Sequence, residues 1–331
     1  MISRREFVQS AMATGAIAIA PRVLAAEPPP ETTQLRIAHI TTGLCSAPLY
    51  VAEELLRAEG FSALRYVRHE TSATVYPALA AGEIDFGTNF IAPSIVQADK
   101  GGQVVILSGT HPGCIELFGS RRVRTLRDLK GKAVSIPQLG SAAHAFIASM
   151  LAHVGLNSRS DVKWLEQRQT EAFNDLAGGN VDALIATPPR SFELRARKIG
   201  HVIVNMTTDR PWSQYFCCVL TVNRDFLRKY PVATKRAMRA ILKATDLCVS
   251  SPEPSARLLT KSAFGFNYEA SLQLFREIPY AEWRVLDVED AVRFYALRLH
   301  EAGMIKSSPQ KIIAQATDWR LLNELKRELK A

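Results

Sequence analysis

The sequence predicts an α/β protein made of two similar lobes with a cleft between them, and three observations support this class. Residues 79–86, LAAGEIDF, are echoed by residues 176–183, LAGGNVDA. Strand and helix patterns alternate through about 34–120 and then restart through about 121–208, which is typical of parallel sheets covered by helices. From Asn223 onward the pattern is almost wholly helical.

The echoed segment predicts the same helix-to-strand turn in both lobes. Gly82 and Gly179 stand where a helix should end, because glycine enters the left-handed conformation without a Cβ penalty. Asp85 and Asp182 then open a strand. We expect these two carboxylates to be structural and to lie at the edge of each sheet away from any ligand.

The elements of the first unit follow in order from the apolar patterns. Strands are predicted at 35–40, 65–69, 85–87 and 104–107, with helices starting near Pro48, at 74–81 and at 92–100. The second unit repeats the alternation, with strands at 133–136, 162–165, 182–186 and 201–204, and helices at 142–154, 171–177 and 191–198.

The remaining chain predicts helices that begin at Pro231, Pro252, Glu269, Asp287 and Pro309. These helices have no strands of their own to cover, so we expect them to return to the first lobe. Lobe 1 is therefore predicted to comprise 34–120 plus 209–331, and lobe 2 to comprise 121–208. Two crossings, near 114–121 and 207–219, would form the hinge.

The amino terminus predicts export. Residues 1–26 combine Ser3-Arg4-Arg5-Glu6-Phe7, a short apolar stretch and small residues before a cleavage site, which matches a twin-arginine signal peptide. Residues 27–33 form a proline-rich leader. A periplasmic location is therefore expected, and no apolar run approaches the roughly 18–20 residues that span a bilayer.

Composition narrows the expected partners. The 331 residues are 47% hydrophobic and 22% charged, with a formal net charge of +9. Residues 121–208 hold 13 Lys and Arg against 7 Asp and Glu, so the excess is concentrated in one lobe. Without a Lys/Arg-rich run, nucleic-acid binding is not expected. A small anionic ligand suits a basic lobe better, with an ordinary basic surface as the alternative.

Five cysteines, Cys45, Cys114, Cys217, Cys218 and Cys248, show no Cys-x-x-Cys or zinc spacing. Cys217 and Cys218 fall in a predicted strand, where neighbouring side chains point to opposite faces. The sequence therefore predicts no metal site, and one disulfide or single buried thiols remain open.

Candidate ligand-binding residues lie in loops that follow predicted strands, where open α/β sheets bind ligands. They are Thr42, Ser46, Asn89, Phe90, Ser141, His144, Thr187, Arg190, Trp212 and Tyr215. Ser46 and Ser141 also suit helix N-caps, a role that is compatible with anion binding at the same N–H groups. Asn89 also suits a turn.

The other candidates have alternatives as well. His144 sits one turn into its predicted helix and suits a surface or core position. Arg190 is suited to grip a carboxylate or sulfonate through two bonds, or to be solvated. Trp212 and Tyr215 suit either the aromatic wall of a cleft or core packing.

Catalytic motifs are not found: the sequence has no Gly-x-Ser-x-Gly elbow, Walker loop, Gly-x-Gly-x-x-Gly or His-Glu-x-x-His. An enzyme is not expected, and neither is a cofactor.

The export signal, the echoed Gly-x-[Ile/Val]-Asp turns, Asp128-Leu129-Lys130-Gly131-Lys132 and the helical tail together resemble the periplasmic substrate-binding proteins of ABC importers. The similar branch is the nitrate, sulfonate and taurine type, which shares its fold with thiamine-pyrimidine-synthesis proteins. The resemblance implies a hinged, two-lobed periplasmic-binding-protein fold of type 2, acting as a monomer that delivers a small solute to an ABC permease. By position, its ligand loops would fall at 42–46, 88–90, 140–141, 187–190 and 212–215.

Two other functions remain open on this fold. A pyrimidine-synthase-like enzyme would need a lysine for a Schiff base and a cysteine-rich metal run, and it would be cytosolic. A ligand-sensing partner of a membrane receptor would share the binding cleft.

Overall fold

The computed structural model describes residues 27–41, 43–261 and 264–330. The predicted signal peptide at 1–26 and the candidate residue Thr42 lie outside these ranges. Among the described residues, no helix is both long and apolar enough to cross a membrane.

The first sheet has the strand order β2-β1-β3-β10-β4. Strands β1, β2 and β3 are parallel, and β10 runs antiparallel to both β3 and β4. The strands are β1 Gln34–Ile40, β2 Ala63–His69, β3 Phe86–Phe90, β4 Val104–Pro112 and β10 Phe216–Asn223.

The second sheet repeats this plan with the order β7-β6-β8-β5-β9. Here β6, β7 and β8 are parallel, and β5 runs antiparallel to β8 and β9. The strands are β5 Glu116–Gly119, β6 Ala133–Ile136, β7 Lys163–Glu166, β8 Ala183–Ala186 and β9 His201–Asn205.

Strand β5 corrects the predicted division of the chain at residue 120. Glu116–Gly119 was not predicted as a strand and was placed with the first lobe, but it pairs with β8 and β9 in the second sheet. The chain crosses between the sheets twice. Strand β5 follows the first unit in sequence but fills the antiparallel position of the second sheet, and β10 follows the second unit but fills the antiparallel position of the first. Local pattern cannot show which sheet a short strand joins.

Helices cover both sheets, and most begin within two residues of their predicted starts. They are α1 Ala47–Val51, α2 Glu53–Ala58, α3 Ser72–Ala80, α4 Ile91–Asp99, α5 Ala142–His153, α6 Gln169–Gly178, α7 Arg190–Ala196, α8 Arg224–Lys229, α9 Pro231–Ser250, α10 Pro252–Lys261, α11 Tyr268–Glu277, α12 Val288–Glu301, α13 Pro309–Ala316 and α14 Arg320–Glu328. Helices α8 and α14 were not predicted as separate helices.

The two echoed turns have the same geometry. Gly82 and Gly179 both adopt positive φ, 70° and 79°. Asp85 accepts a hydrogen bond from the Arg36 amide at 2.7 Å, and Asp182 accepts one from the Ala133 amide at 3.0 Å. In each lobe, therefore, a buried carboxylate joins the strand start to the neighbouring strand, which agrees with the structural role expected for these two residues.

The helical tail packs largely on the first sheet, and α12 also packs against α5 beside the second sheet. The leader is fixed on the same side, since the Glu31 carboxylate accepts hydrogen bonds from the Val232 and Ala233 amides at the start of α9. Arg239 of α9 pairs with Glu27 at 2.8 Å.

Contacts beyond the hinge also join the lobes. Arg195 of α7 pairs with Glu277 of α11 at 2.6 Å and lies 3.6 Å from the buried Glu116. Burial raises the pKa of the Glu116 carboxyl group, and Arg195 opposes this rise. The rings of Phe90 and Phe146 meet edge to face across the lobes, with centroids 5.7 Å apart.

Candidate functional site

A cleft lies between the two lobes, where the carboxyl ends of strands from both sheets meet. It encloses about 460 Å³. In open α/β sheets this edge collects ligands because loops and helix N-termini converge there. The lining comprises Ile40, Thr41, Gly43, Cys45, Ser46, Thr71, Ser72, Thr88, Asn89, Phe90, Pro137, Gln169, Thr187, Pro188, Pro189, Arg190, Cys218 and Phe266.

The first-lobe wall is rich in uncharged polar groups. Ser46 lies at the start of α1, and helices α3 and α4 also begin there. The N-cap residues of α3 and α4, Thr71 and Phe90, make no side-chain capping bond, so these two helix starts keep donor capacity. Thr88 Oγ1 and Asn89 Oδ1 are buried without a hydrogen-bond partner among the described residues. A buried polar atom without a partner costs free energy, so these groups are suited to meet a polar ligand.

The second-lobe wall carries the positive charge. Among the described residues that line the cleft, Arg190 is the one that carries a charge. Its Nη1 donates to Glu193 at 2.9 Å, and about half of its side chain is exposed. Hydrogen bonds from Arg197 and Arg190 lower the pKa of the Glu193 carboxyl group, so this anion holds the Arg190 guanidinium at the start of α7.

A second, apolar cavity of about 140 Å³ adjoins the cleft in the second lobe. Phe90, Pro137, Gln169 and Thr187 line both spaces. The rest of its lining is mostly apolar and comprises Ile115, Ile136, Ala142, Ala143, Phe146, Ala172, Phe173, Leu184 and Ile185, together with the polar Ser135 and Gln167. The combined site can therefore take a polar head and a small apolar tail.

Five of the sequence-predicted residues share this cleft: Ser46, Asn89, Phe90, Thr187 and Arg190. They come from both lobes, so the fold brings together side chains that lie up to 144 positions apart in the sequence.

Ser141 and His144 lie outside the lining of both cavities, so their contact with a ligand stays a prediction. Ser141 caps α5, accepting a hydrogen bond from the His144 amide at 3.3 Å. The His144 ring accepts from the Gly140 amide and packs edge-on against Trp164. Burial lowers the pKa of His144. These contacts account for both side chains structurally.

Trp212 and Tyr215 also lie outside the two cavities. Trp212 is 2% exposed and packs edge-on against Phe294 of α12, with centroids 5.5 Å apart. Tyr215 stacks on the same Phe294 ring at 4.0 Å. Because α12 reaches this crossing, both rings pack on it instead of lining the two cavities, which is the core-packing alternative that the sequence left open. Their contact with a ligand stays a prediction.

Sequence reasoning missed several lining residues. Thr71, Ser72 and Gln169 follow β2 and β7, so the rule that selected the other loops would also have found them. Phe266 comes from the helical tail, and no pattern in the sequence places it near the first strand.

Four of the buried cysteine and histidine side chains converge at the hinge. The ligand atoms of His111, Cys114, Cys217 and Cys218 all lie within 4.8 Å of one another. Cys217 and Cys218 were expected on opposite faces, but their sulfurs are 3.6 Å apart. The reason is that β10 changes register against β4 on either side of Cys218, so simple alternation fails there. These residues could hold a metal ion, contrary to the sequence prediction.

Two sheets that are joined by two strand crossings, with a cleft between them, define a two-lobed α/β fold, and solved structures show the same fold. The alkanesulfonate-binding protein SsuA from Xanthomonas axonopodis pv. citri, bound to MOPS, matches with a TM-score of 0.68 and 19% identity, over 89% of this chain and 100% of that one. The periplasmic nitrate-binding protein NrtA from Synechocystis PCC 6803 matches with a TM-score of 0.72 and 14% identity, over 92% and 90%. The chain has the periplasmic-binding-protein fold.

The chain belongs to the NMT1-like family, which matches residues 28–261. A curated relative is the nitrate import ATP-binding protein NrtC of Synechocystis sp., 23% identical over 225 residues. That alignment covers 61% of this chain and 33% of NrtC, so the chain spans about a third of the length of that relative.

Proposed function

We propose that this chain is the solute-binding component of an ABC import system and that its ligand is a small organic anion, a sulfonate or carboxylate with a short apolar tail. The single observation that carries this is the pairing of the Arg190 wall with the apolar cavity beside it. The chain would act as a monomer in the periplasm, after export through a twin-arginine-type signal, and would deliver the solute to a permease.

The charge distribution supports an anion. Among the described residues of the cleft lining there is no carboxylate, and the N-termini of α3 and α4 join the Arg190 guanidinium around it. Guanidinium and backbone N–H groups both favour carboxylate or sulfonate oxygens. The related structures include an alkanesulfonate-binding and a nitrate-binding protein. The adjoining hydrocarbon cavity favours an organic anion, since nitrate has nothing to place there.

An enzyme of the pyrimidine-synthase kind is the alternative. It needs a lysine for a Schiff base, and the described part of the chain places no lysine in the lining of either cavity. A stoichiometric absorbance band from bound pyridoxal cofactor would overturn the binding-protein proposal. Sensing with a membrane receptor would be distinguished from transport by neighbouring permease and ATPase genes.

The test is a thermal-shift and calorimetry screen in a buffer free of sulfonates. Alkane- and arenesulfonates of increasing length, the matching carboxylates, nitrate, sulfate and neutral pyrimidines are compared. We expect an organic anion to raise the melting temperature, since a ligand at 100 times its Kd stabilises by about 2.7 kcal/mol. If only neutral compounds do so, the proposal is wrong.

Arg190→Met is the variant that tests the anion contact, and Arg197→Met is its matched control. Both arginines bind Glu193 at 2.9 Å, but only Arg190 belongs to the cleft lining. A lost hydrogen bond to a charged group costs about 1.5–3 kcal/mol. We therefore expect Arg190→Met to weaken binding by at least about tenfold and Arg197→Met to leave the affinity unchanged.

A further inference from the structure

The hinge cluster, which we define as His111, Cys114, Cys217 and Cys218, lies where the chain crosses twice between the lobes. His111 is near the end of β4 and Cys114 follows it, just before β5 enters the second sheet. Cys217 and Cys218 lie at the start of β10, where the chain returns to the first sheet. The described side chains of the cluster are at most 3% exposed.

We propose that the hinge cluster is a Zn²⁺ site in which three thiolates and one imidazole bind a single ion. The Sγ atoms of Cys114 and Cys217 are 3.2 Å apart, those of Cys217 and Cys218 are 3.6 Å apart, and those of Cys114 and Cys218 are 3.8 Å apart. A tetrahedral ion with Zn–S bonds of about 2.3 Å places its sulfurs about 3.8 Å apart. The three sulfur–sulfur distances are therefore near the spacing that such an ion requires.

The imidazole completes the set. His111 Nδ1 lies 3.0 Å from the Pro112 carbonyl oxygen and 3.7 Å from Cys217 Sγ. In metal sites, a hydrogen bond from the second ring nitrogen to a backbone carbonyl commonly fixes the orientation of a histidine ligand. His111 Nε2 is buried without a hydrogen-bond partner among the described residues. One ring nitrogen can therefore bind an ion without giving up a hydrogen bond to the described residues.

The backbone departs from regular geometry where it presents these thiols. Cys114 has a φ of 65°, in the left-handed region that non-glycine residues rarely adopt. Strand β10 shifts register against β4 between Phe216 and Cys218 and again between Cys218 and Val219. Both departures turn sulfurs toward one point, and such features recur at functional sites.

An ion has an entry path. Cys218 and the neighbouring Cys45 belong to the cleft lining, so the cluster opens toward the floor of the cleft. On binding, each thiol would release its proton to solvent and no electron would be transferred. The ion would join the two crossings to each other and stabilise the hinge, independently of which solute the cleft takes.

The test uses the full chain, reduced with a phosphine and freed of metal with a chelator under anaerobic conditions. Co²⁺ is added as a spectroscopic probe, followed by Zn²⁺. We expect about one Co²⁺ per chain, with thiolate-to-cobalt charge-transfer absorption and the intense visible bands of a tetrahedral site. Zn²⁺ should bleach these bands and raise the melting temperature.

The double variant Cys114→Ser with Cys217→Ser should lose the spectrum. Cys248→Ser is the matched control, because Cys248 is also fully buried but lies outside the hinge cluster. If the double variant does not fold, the wild-type titration still decides. The proposal is overturned if the reduced wild-type protein gives no thiolate–cobalt spectrum. It is also overturned if Cys114 and Cys217 form a disulfide and the protein binds no Co²⁺ after that disulfide is reduced. A folded double variant that binds Co²⁺ as the wild type does would overturn it as well.

Discussion

The two lobes are alike at the edges of their sheets far from the cleft and unlike at the cleft itself. At the far edges, Asp85 and Asp182 make equivalent bonds to a neighbouring strand amide and to an arginine. At the cleft, the first lobe offers hydroxyl and amide groups, and the second offers Arg190 and a hydrocarbon cavity. The Asp85 and Asp182 contacts, which both lobes share, therefore serve the fold. The choice of ligand depends on the two walls of the cleft, which differ between the lobes.

The largest expected effect tests the shared edge. Asp85→Asn and Asp182→Asn should each lower the free energy of unfolding by about 2 kcal/mol, because a buried backbone amide loses its charged acceptor. The arginine partners are largely exposed, with 41% and 56% of their side chains accessible, so they contribute little of this. Chemical denaturation without ligand measures both. Asp225→Asn, in an exposed pair with Arg228, is the control and should change stability by less than about 0.5 kcal/mol.

The dependence of stability on acidic pH should test the Asp182 contacts of the same edge. Burial opposes ionisation of Asp182, but the Ala133 amide and Arg122 together hold the pKa of its carboxyl group below the ordinary value. A depressed folded pKa contributes stability above the unfolded pKa of about 3.9, and this stability is lost as pH falls through the folded pKa. Below about pH 4, therefore, wild type should lose stability more steeply than Asp182→Asn. Parallel curves would contradict this assignment.

The second-largest effect tests the apolar cavity beside the cleft, which is where the two lobes differ. Ala143→Leu on α5 would place extra methyl groups in the apolar cavity. We expect long-tailed anions to bind about tenfold more weakly, and short-tailed anions to bind as before. Ala152→Leu, on the same helix but outside the cavity lining, is the control in calorimetry. An equal loss for short and long ligands would mean that the tail does not enter this cavity.

The smallest effect tests the contact between the lobes. Glu277→Gln weakens the Arg195 pair, which joins α7 to α11. Partly exposed pairs contribute about 0.2–1 kcal/mol, so affinity should change by no more than about fivefold, and added salt should reduce the difference. Glu253→Gln, whose pair with Arg276 stays within the tail, should leave affinity unchanged.

The sequence by itself determined the features that short segments encode. The echoed turns, the alternating strands and helices and most helix starts were predicted because glycine geometry, proline positions and apolar spacing act within about a dozen residues. The same local rule identified the loops of Ser46, Asn89, Phe90, Thr187 and Arg190, since a ligand edge follows from strand direction alone.

Only the tertiary structure decided which distant segments meet. Strand β5 joins the second sheet, α12 covers Trp212 and Tyr215, and the register shifts in β10 bring Cys217 and Cys218 beside His111 and Cys114. Each outcome depends on pairing or packing between residues far apart in sequence. The propensity of a short segment does not predict such contacts, because they stabilise the protein only after distant parts of the chain have come together.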